Sequence, residues 1–353
     1  MRPVGQKRGA HMVTLKQIAD MLGVSPTTVS NVINGRAGKM SAETRQRIEE
    51  ALWQNHYEIP LKTSSSTSEE TLVAAAFYMG GYRNVLMDPF CGELLGAIEQ
   101  ELKASGCRLI YDVPNEHEDE DLYRLFSPWN VRGGILLGYE PDKCRALQRR
   151  ISKPLVFIDS YFGDGEESYD NIGLQDYEGA CEMTSYLLKL GHRSIAFFCD
   201  QKPPIASSGE RFRGFCDTLA GSGITFSDED YYFLPSDKNL RFEVLRQFAR
   251  KSRKRYTAAF FTSDFYANES INIFFSQGLH VPDELSVTGF DDNIYARLSR
   301  PMLTTIRQSP TDKGRMAVKL LMQRIRGEEE PLHTVQLPTE LIVRESVRNI
   351  GSF

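Results

Sequence analysis

The sequence predicts an α/β protein in which a small helical headpiece precedes a two-lobed body. Three observations point there. Val13–Gly35 carries apolar residues at the spacing of two short helices joined by a tight turn. A polar, Ser/Thr-rich run, Leu61–Glu70, then separates this stretch from everything after it and reads as a linker. From Leu72 onward short apolar runs alternate with helical patterns, as expected of parallel sheets covered on both faces.

In the headpiece, Leu15, Ile18, Ala19 and Leu22 stand at i, i+3, i+4 and i+7 and share one helix face. Thr14 is placed to cap this helix, and Gln17 completes a capping box. Gly23 falls just past the end, where a left-handed backbone meets no Cβ clash. Ser25 offers a second N-cap, with Pro26 at the first helical position. Val29, Val32 and Ile33 form the inner stripe of the second helix. Thr27, Thr28, Ser30, Asn31 and Asn34 face outward, all short hydrogen-bonding side chains. A helix buried by one stripe and polar outside can lie in a DNA major groove; the plainer reading is an αα-hairpin in a helical core. Ser41 caps a third helix, with Glu43 in its first turn and Ile48, Ala51 and Leu52 inside. The headpiece therefore takes residues 1–60 and the linker 61–70. Residues 1–12 are basic and patternless at first, a leader or cloning remnant with Met12 as an alternative start.

In the body, strand-like runs are Leu72–Met79, Arg108–Val113, Gly134–Leu137, Leu155–Ile158, Ile195–Cys199, Ala258–Phe261 and Leu285–Phe290. Helical patterns between them include Phe90–Ala104, Tyr177–Leu190, Phe212–Ala220 and Phe265–Gln277. So many strands favour two α/β lobes over one sheet.

The chain has 353 residues, 41% hydrophobic and 25% charged, the composition of a soluble globular protein. No apolar run is long enough to span a bilayer and no signal-peptide pattern opens the chain. The six cysteines are scattered without a C-x-x-C pair, as expected of reduced thiols in a cytoplasmic protein. Net charge is −5, unevenly spread: residues 1–63 carry nine Lys/Arg against five acids, a net of +4, and the remainder carries −9. A basic head on an acidic body suits phosphate contact at one end. No P-loop, G-x-S-x-G or H-E-x-x-H motif is present, and the histidines are dispersed. No catalytic residue, metal site or cofactor is expected, and an enzyme is not. The basic run Arg250–Arg255 reads as solvated surface, with a phosphorylated partner or DNA backbone as the other reading.

The headpiece string closely resembles the DNA-binding region of the lactose/galactose-repressor (LacI/GalR) family of bacterial regulators. That pattern reads V-T-L-x-x-[IV]-A-x-x-x-G-V-S-x-x-T-V-S-x-V-[IL]-N, and it continues here through Met40–Arg45, Ala51 and Tyr57–Pro60. The body resembles the family over nearly its whole length. Its markers are Leu190–Arg193, Arg211–Phe215, Thr262–Asp264, Val281–Asp292, Pro301–Gln308 and Leu341–Ser346. The resemblance implies a core over 71–353 like the periplasmic sugar-binding proteins, with three crossings between lobes and a ligand in the cleft. Lobe one is expected at about 71–190 and 293–323, lobe two at 191–292 and 324–346.

In doubly wound sheets, ligands sit beyond the carboxyl ends of strands. Asp88–Phe90, Arg211, Ser263, Asp264 and Asp291 all follow strand-like runs. An arginine fork and carboxylates suit sugar hydroxyls, and an aromatic face suits an apolar ring. The family's ligand positions fall on Phe90, Asp176, Arg211, Ser263, Asp291 and Gln308. Helix capping is the other reading for Asp176, Asp264 and Asp292. Gly80–Asn84 and the loop Asp159–Tyr169 are further candidates to line the cleft. On the DNA side the resemblance assigns Pro26, Thr27 and Asn31 to base edges, where asparagine matches adenine N6/N7. Thr14, Ser25, Thr28, Ser30 and Asn34 suit phosphates. Relatives often continue after the Tyr-x-Pro with Asn-x-x-Ala-Arg-x-Leu, which folds on operator DNA and wedges leucines into the minor groove. Leu61–Ser66 lacks it, so a strongly kinked operator is not expected here.

The expected function is a cytoplasmic homodimeric transcriptional repressor on pseudo-palindromic operator DNA, gated by a small carbohydrate. A purine or nucleoside effector, or a protein partner, is the alternative.

Overall fold

Thr14 caps α1 (Leu15–Leu22): its hydroxyl accepts from Gln17 N at 3.3 Å, and Gln17 Oε1 accepts from Thr14 N at 2.7 Å. Gly23 closes the helix at φ 65°. Ser25 Oγ accepts from Thr28 N at 3.0 Å and starts α2 (Pro26–Ile33). Ser41 Oγ does the same for Thr44 N at 3.2 Å ahead of α3 (Ala42–Gln54). The three helices close on Ile18, Ala19, Val29, Ile48 and Ala51, all buried.

This is a computed structural model, and it describes residues 13–33, 40–55, 71–78, 85–113, 119–127, 130–161, 169–251, 255–328 and 331–351. The linker 61–70, Asn34, Gly80–Asn84 and parts of the Asp159–Tyr169 and Arg250–Arg255 stretches lie outside them. The chain divides into the helical unit and a larger unit beginning at Glu70.

The larger unit runs β1 (Thr71–Phe77), α4 (Pro89–Ala104), β2 (Cys107–Asp112), α5 (Asp119–Phe126), β3 (Val131–Leu137), α6 (Pro141–Arg150), β4 (Leu155–Ile158) and β5 (Asp170–Leu174). It continues α7 (Asp176–Lys189), β6 (Ile195–Cys199), α8 (Ala206–Gly221), β7 (Tyr231–Phe233), α9 (Lys238–Lys251), β8 (Ala258–Phe261), α10 (Asp264–Ser276) and β9 (Ser286–Asp291). It ends α11 (Ile294–Leu298), β10 (Thr304–Arg307), α12 (Pro310–Ile325), β11 (Thr334–Leu337) and β12 (Glu340–Ile342). Two six-stranded sheets result, ordered β11-β5-β4-β3-β1-β2 and β12-β10-β9-β8-β6-β7. Among the described strands only β12 runs antiparallel to its neighbour.

Each sheet is covered on both faces, as its unbroken apolar strands require. In lobe one Val73, Ala75 and Phe77 pack under α4 and α12, while Ala74, Ala76 and Leu136 meet Leu122, Phe126 and Leu147. Lobe two is rich in aromatics: Phe198 stacks on Phe261 at 4.3 Å between centroids, and Phe197 on Phe260 at 5.4 Å. Such offset stacks add to the area each ring buries.

The lobe division differs from the expected one. Thr304–Arg307 pairs in parallel with Thr288–Asp291 and belongs to lobe two. Ala317, Val318 and Leu321 of α12 pack into the lobe-one core, and β11 pairs with β5. Helix α7 also leaves lobe one: Ala180, Met183 and Leu187 pack with Phe197, Phe215 and Phe260. The crossings thus follow β5, β10 and β11. No turn-rich break in the sequence marks them, because each is a short extended step from a strand end into the next element.

Candidate functional site

On α2 the exposed residues Pro26 and Thr27 begin the helix beside exposed Ser25. Thr28, Ser30 and Asn31 are half-buried. Ser25 and Thr28 share a hydroxyl bond of 2.7 Å, so each has part of its capacity taken within the helix start. Thr14 and Ser25 combine capping with exposure, and the first turns of both helices leave backbone N–H groups open to an anion.

In the larger unit, side chains gather where the carboxyl ends of both sheets meet. Asp88 caps α4, its Oδ1 accepting from Cys91 N at 3.1 Å, and sets buried Phe90 on the first turn. Strand β4 runs out into Asp159 at φ 56°, and β9 ends in Asp291 at φ 127°. A non-glycine residue in such a conformation costs about 1–3 kcal/mol and persists only where its surroundings hold it. Here bonds to both side chains do so.

Two ionic assemblies fill the floor. In the first, Arg211 Nε donates to Asp176 Oδ1 at 2.7 Å, Arg211 Nη1 donates to the Thr262 carbonyl at 2.6 Å, and the guanidinium carbon lies 3.6 Å over the Phe290 ring. The Tyr161 hydroxyl donates to the other Asp176 oxygen. In the second, Lys313, fully buried on α12, donates to Asp159 Oδ1 and Oδ2 at 2.6 and 2.7 Å and to Gln308 Oε1 at 2.9 Å. Gln308 Nε2 then donates to Asp291 Oδ1 at 2.7 Å. An unbroken chain of bonds therefore links Asp159 of lobe one with Asp291 of lobe two.

Burial raises the Asp159 carboxyl against the pull of Lys313. Burial likewise pushes Asp291 up to about 7, with Arg211 opposing and Asp88 adding to the rise. Asp88 and Asp200 are raised as well, chiefly by burial.

The other residues expected here divide. Ser263 caps α10, its hydroxyl accepting from Tyr266 N at 3.5 Å, one residue beyond the carbonyl that Arg211 holds. Asp264 is fully buried, bound by the Thr305 hydroxyl at 2.6 Å and Asn293 N at 3.0 Å, and faces inward as a brace. Asp292 pairs with Arg307 at 2.8 Å and with Arg344. Asp176 makes no cap bond; Gln175 precedes α7 and the Asp176 side chain holds Arg211. Asp159 and Tyr161, from the loop expected to line the cleft, complete the site together with Lys313, which had not been singled out. The readable signal for Lys313 was its place on the buried stripe Pro310, Lys313, Gly314, Ala317, Val318, Leu321, where a lysine needs a partner. Among the described residues no cluster has the composition of a metal site, and no helix is long and apolar enough to cross a membrane. In the basic run, Arg255 pairs with Glu229 and Asp230 at the surface.

Two family profiles match the chain. Residues 14–58 match the bacterial regulatory proteins of the lacI family, and residues 184–347 match the periplasmic binding protein-like domain. A transcriptional repressor named PurR from Mannheimia succiniciproducens is 28% identical over 96% of this chain and 100% of its own length. Another PurR, from Pectobacterium carotovorum subsp. carotovorum, is 29% identical over 95% of this chain and 97% of its own. Among solved structures, the Lac repressor dimer bound to operator and an anti-inducer superposes with a TM-score of 0.69 at 23% identity, covering 95% of this chain and 99% of that one. A CelR–cellobiose complex gives 0.69 at 24% identity over the same shares. The fold and the headpiece thus define a DNA-binding transcriptional regulator with an effector-type core. Residues 14–58 carry a DNA-binding region of the lacI type, and the chain over nearly its whole length is similar to transcriptional repressors.

Proposed function

We propose that this regulator is a homodimeric repressor whose operator affinity is set by a small sugar-like ligand held between the lobes. The observation that carries the reading is the convergence of Phe90, Arg211, Asp291 and Gln308 at the carboxyl ends of strands from both sheets. A ligand bridging Asp291 and Phe90 touches both lobes, so it favours one hinge angle over another, which is what gating requires. Asn31, Thr27 and Pro26 read bases, and Thr14, Ser25, Thr28, Ser30 and Asn34 hold phosphates.

A flat purine ring is best served by aromatics on both faces. Here the Phe90 ring already has the Lys313 ammonium 5.1 Å from its centroid, and Phe290 is covered by Arg211. One apolar face ringed by carboxylates suits a sugar better.

The test is a thermal-shift screen of sugars and nucleosides, followed by operator titrations with and without each hit. A sugar hit that changes operator affinity by ~5–150-fold, the usual range of coupling, is the expected result. Arg211→Ala should abolish that hit while operator binding survives. A nucleoside hit replaces the sugar with the alternative effector.

A further inference from the structure

Charge in the cleft restricts which ligands it takes; this inference rests on the effector-binding reading above and narrows it. Among the described residues five carboxylates, those of Asp88, Asp159, Asp176, Asp200 and Asp291, face two cations, Arg211 and Lys313. Neither cation is open to a new anion. Lys313 has three donors, and all three are used, two by Asp159 and one by Gln308. Gln308 is locked in turn, its carbonyl on Lys313 and its amide nitrogen on Asp291. Arg211 is neutralised by Asp176, tied to the Thr262 carbonyl and laid against Phe290. Its side chain is only 8% exposed, and its Nη2 has no bond among the described residues. It offers one edge to an acceptor atom, not an unbalanced charge.

The acceptors are different. Asp291 Oδ2 carries no bond among the described residues. Among the described residues Asp200, which follows β6, holds only the Tyr266 hydroxyl at 3.2 Å and a weak thiol contact from Cys199. Asp88 lies close enough to both for their charges to act on one another. Among the described residues the cleft is therefore short of hydrogen-bond donors and cations and rich in acceptors.

We propose that the cleft selects a polyhydroxylated ligand without negative charge, a neutral or amino sugar, and excludes sugar phosphates. Hydroxyl or ammonium donors go to Asp291, Asp88 and Asp200, one ligand oxygen accepts from Arg211 Nη2, and the ring lies on Phe90.

The test uses the full chain and matched trios of sugars: each hexose, its 2-amino form and its 6-phosphate, read by calorimetry at constant ionic strength. The expected result is binding of the neutral or amino member, with the phosphate at least ~10-fold weaker because like charges oppose it. Asp200→Asn, which keeps the shape of a side chain that belongs to none of the apolar cores, should narrow that gap by ~3-fold. A phosphate that binds as well as its neutral partner overturns the charge inference and leaves the sugar-gated reading standing. An unchanged gap in Asp200→Asn overturns the part given to that carboxylate. A folded, operator-binding protein that takes no member of any trio overturns the sugar reading, and this inference with it.

Discussion

Asp291 is the residue on which pH should act most plainly. Burial holds its carboxyl up to about 7, and Asp88 adds to this, while Arg211, Gln308 and Lys313 draw it down. A carboxyl raised in the folded state binds its proton more tightly there than in the unfolded chain. Its contribution to stability is full below its ordinary value of ~4 and is lost as pH rises through about 7. The ligand-free melting temperature should therefore fall between pH 5 and 8, and Asp291→Asn should flatten much of that slope; melting curves of the two proteins across this range decide it. Asp88, Asp159, Asp200 and Asp264 are shifted the same way, chiefly by burial, and contribute to the rest of the slope. Ligand affinity should run oppositely, rising through pH 7 as Asp291 becomes a full acceptor. At the other end of the chain, Asn31→Arg should exchange an adenine preference for guanine at one operator position, worth ~1–3 kcal/mol. Selection of operators from a random pool reads it, and an unaltered pool result assigns Asn31 to the backbone. Asp291 could be found in the sequence because it ends an apolar run, and Arg211 because it stands in a family-like segment after one. Asp159 was seen only as the edge of a loop, and Lys313 was hidden inside an otherwise amphipathic helix.

Helices α7 and α8 carry the two halves of the Arg211–Asp176 pair, and one glycine sets their spacing. A Cβ on Gly214 would lie 2.4 Å from the Tyr177 carbonyl oxygen and 3.2 Å from the Ala180 Cβ. The first neighbour is backbone and cannot rotate away. Alanine gains up to ~1 kcal/mol in helix propensity over glycine, but overpacking of this kind costs ~1–3 kcal/mol. Gly214→Ala should thus lower the melting temperature. It should also weaken ligand binding, since pushing α8 off α7 draws Arg211 from Asp176. Unchanged calorimetric affinity would mean that the pair tolerates the shift. The strands that sequence patterning found were the apolar ones. Strand β5, DNIGL, was missed because Asp, Asn and Gly are poor strand formers. It is buried nonetheless, as Arg324 grips Asp170 at 2.8 and 2.9 Å and Asn171 accepts from Ser160 N at 3.1 Å. Those partners lie far off in sequence, so no local pattern announces them. The same holds for β10 and β11, four residues each, whose place is set by pairing with β9 and β5.

The two units of the chain divide the work between DNA and ligand, and their cores are separate. The headpiece closes on five buried apolar residues, whereas each lobe has clusters on both faces of its own sheet. A helical unit this small reads one half-site, and its affinity alone is modest. Joining two headpieces through a dimeric core makes the second contact intramolecular and can raise affinity by ~10²–10⁴. The core needs nothing from the headpiece to assemble the cleft, because every bond from Asp159 through Lys313, Gln308 and Asp291 lies within it. A fragment starting at Glu70 should therefore fold, remain dimeric in sedimentation and bind the effector within ~2-fold of the full chain, while losing operator binding altogether. Sites that share no partners behave additively to this degree. A fragment that folds but binds ligand much more weakly would place part of the binding energy in the headpiece or linker. The same measurement then reports on gating: linkage is reciprocal, so operator DNA must change the full chain's ligand affinity by the factor by which ligand changes operator affinity. The fragment, which has no operator to bind, should give one ligand affinity with or without DNA present.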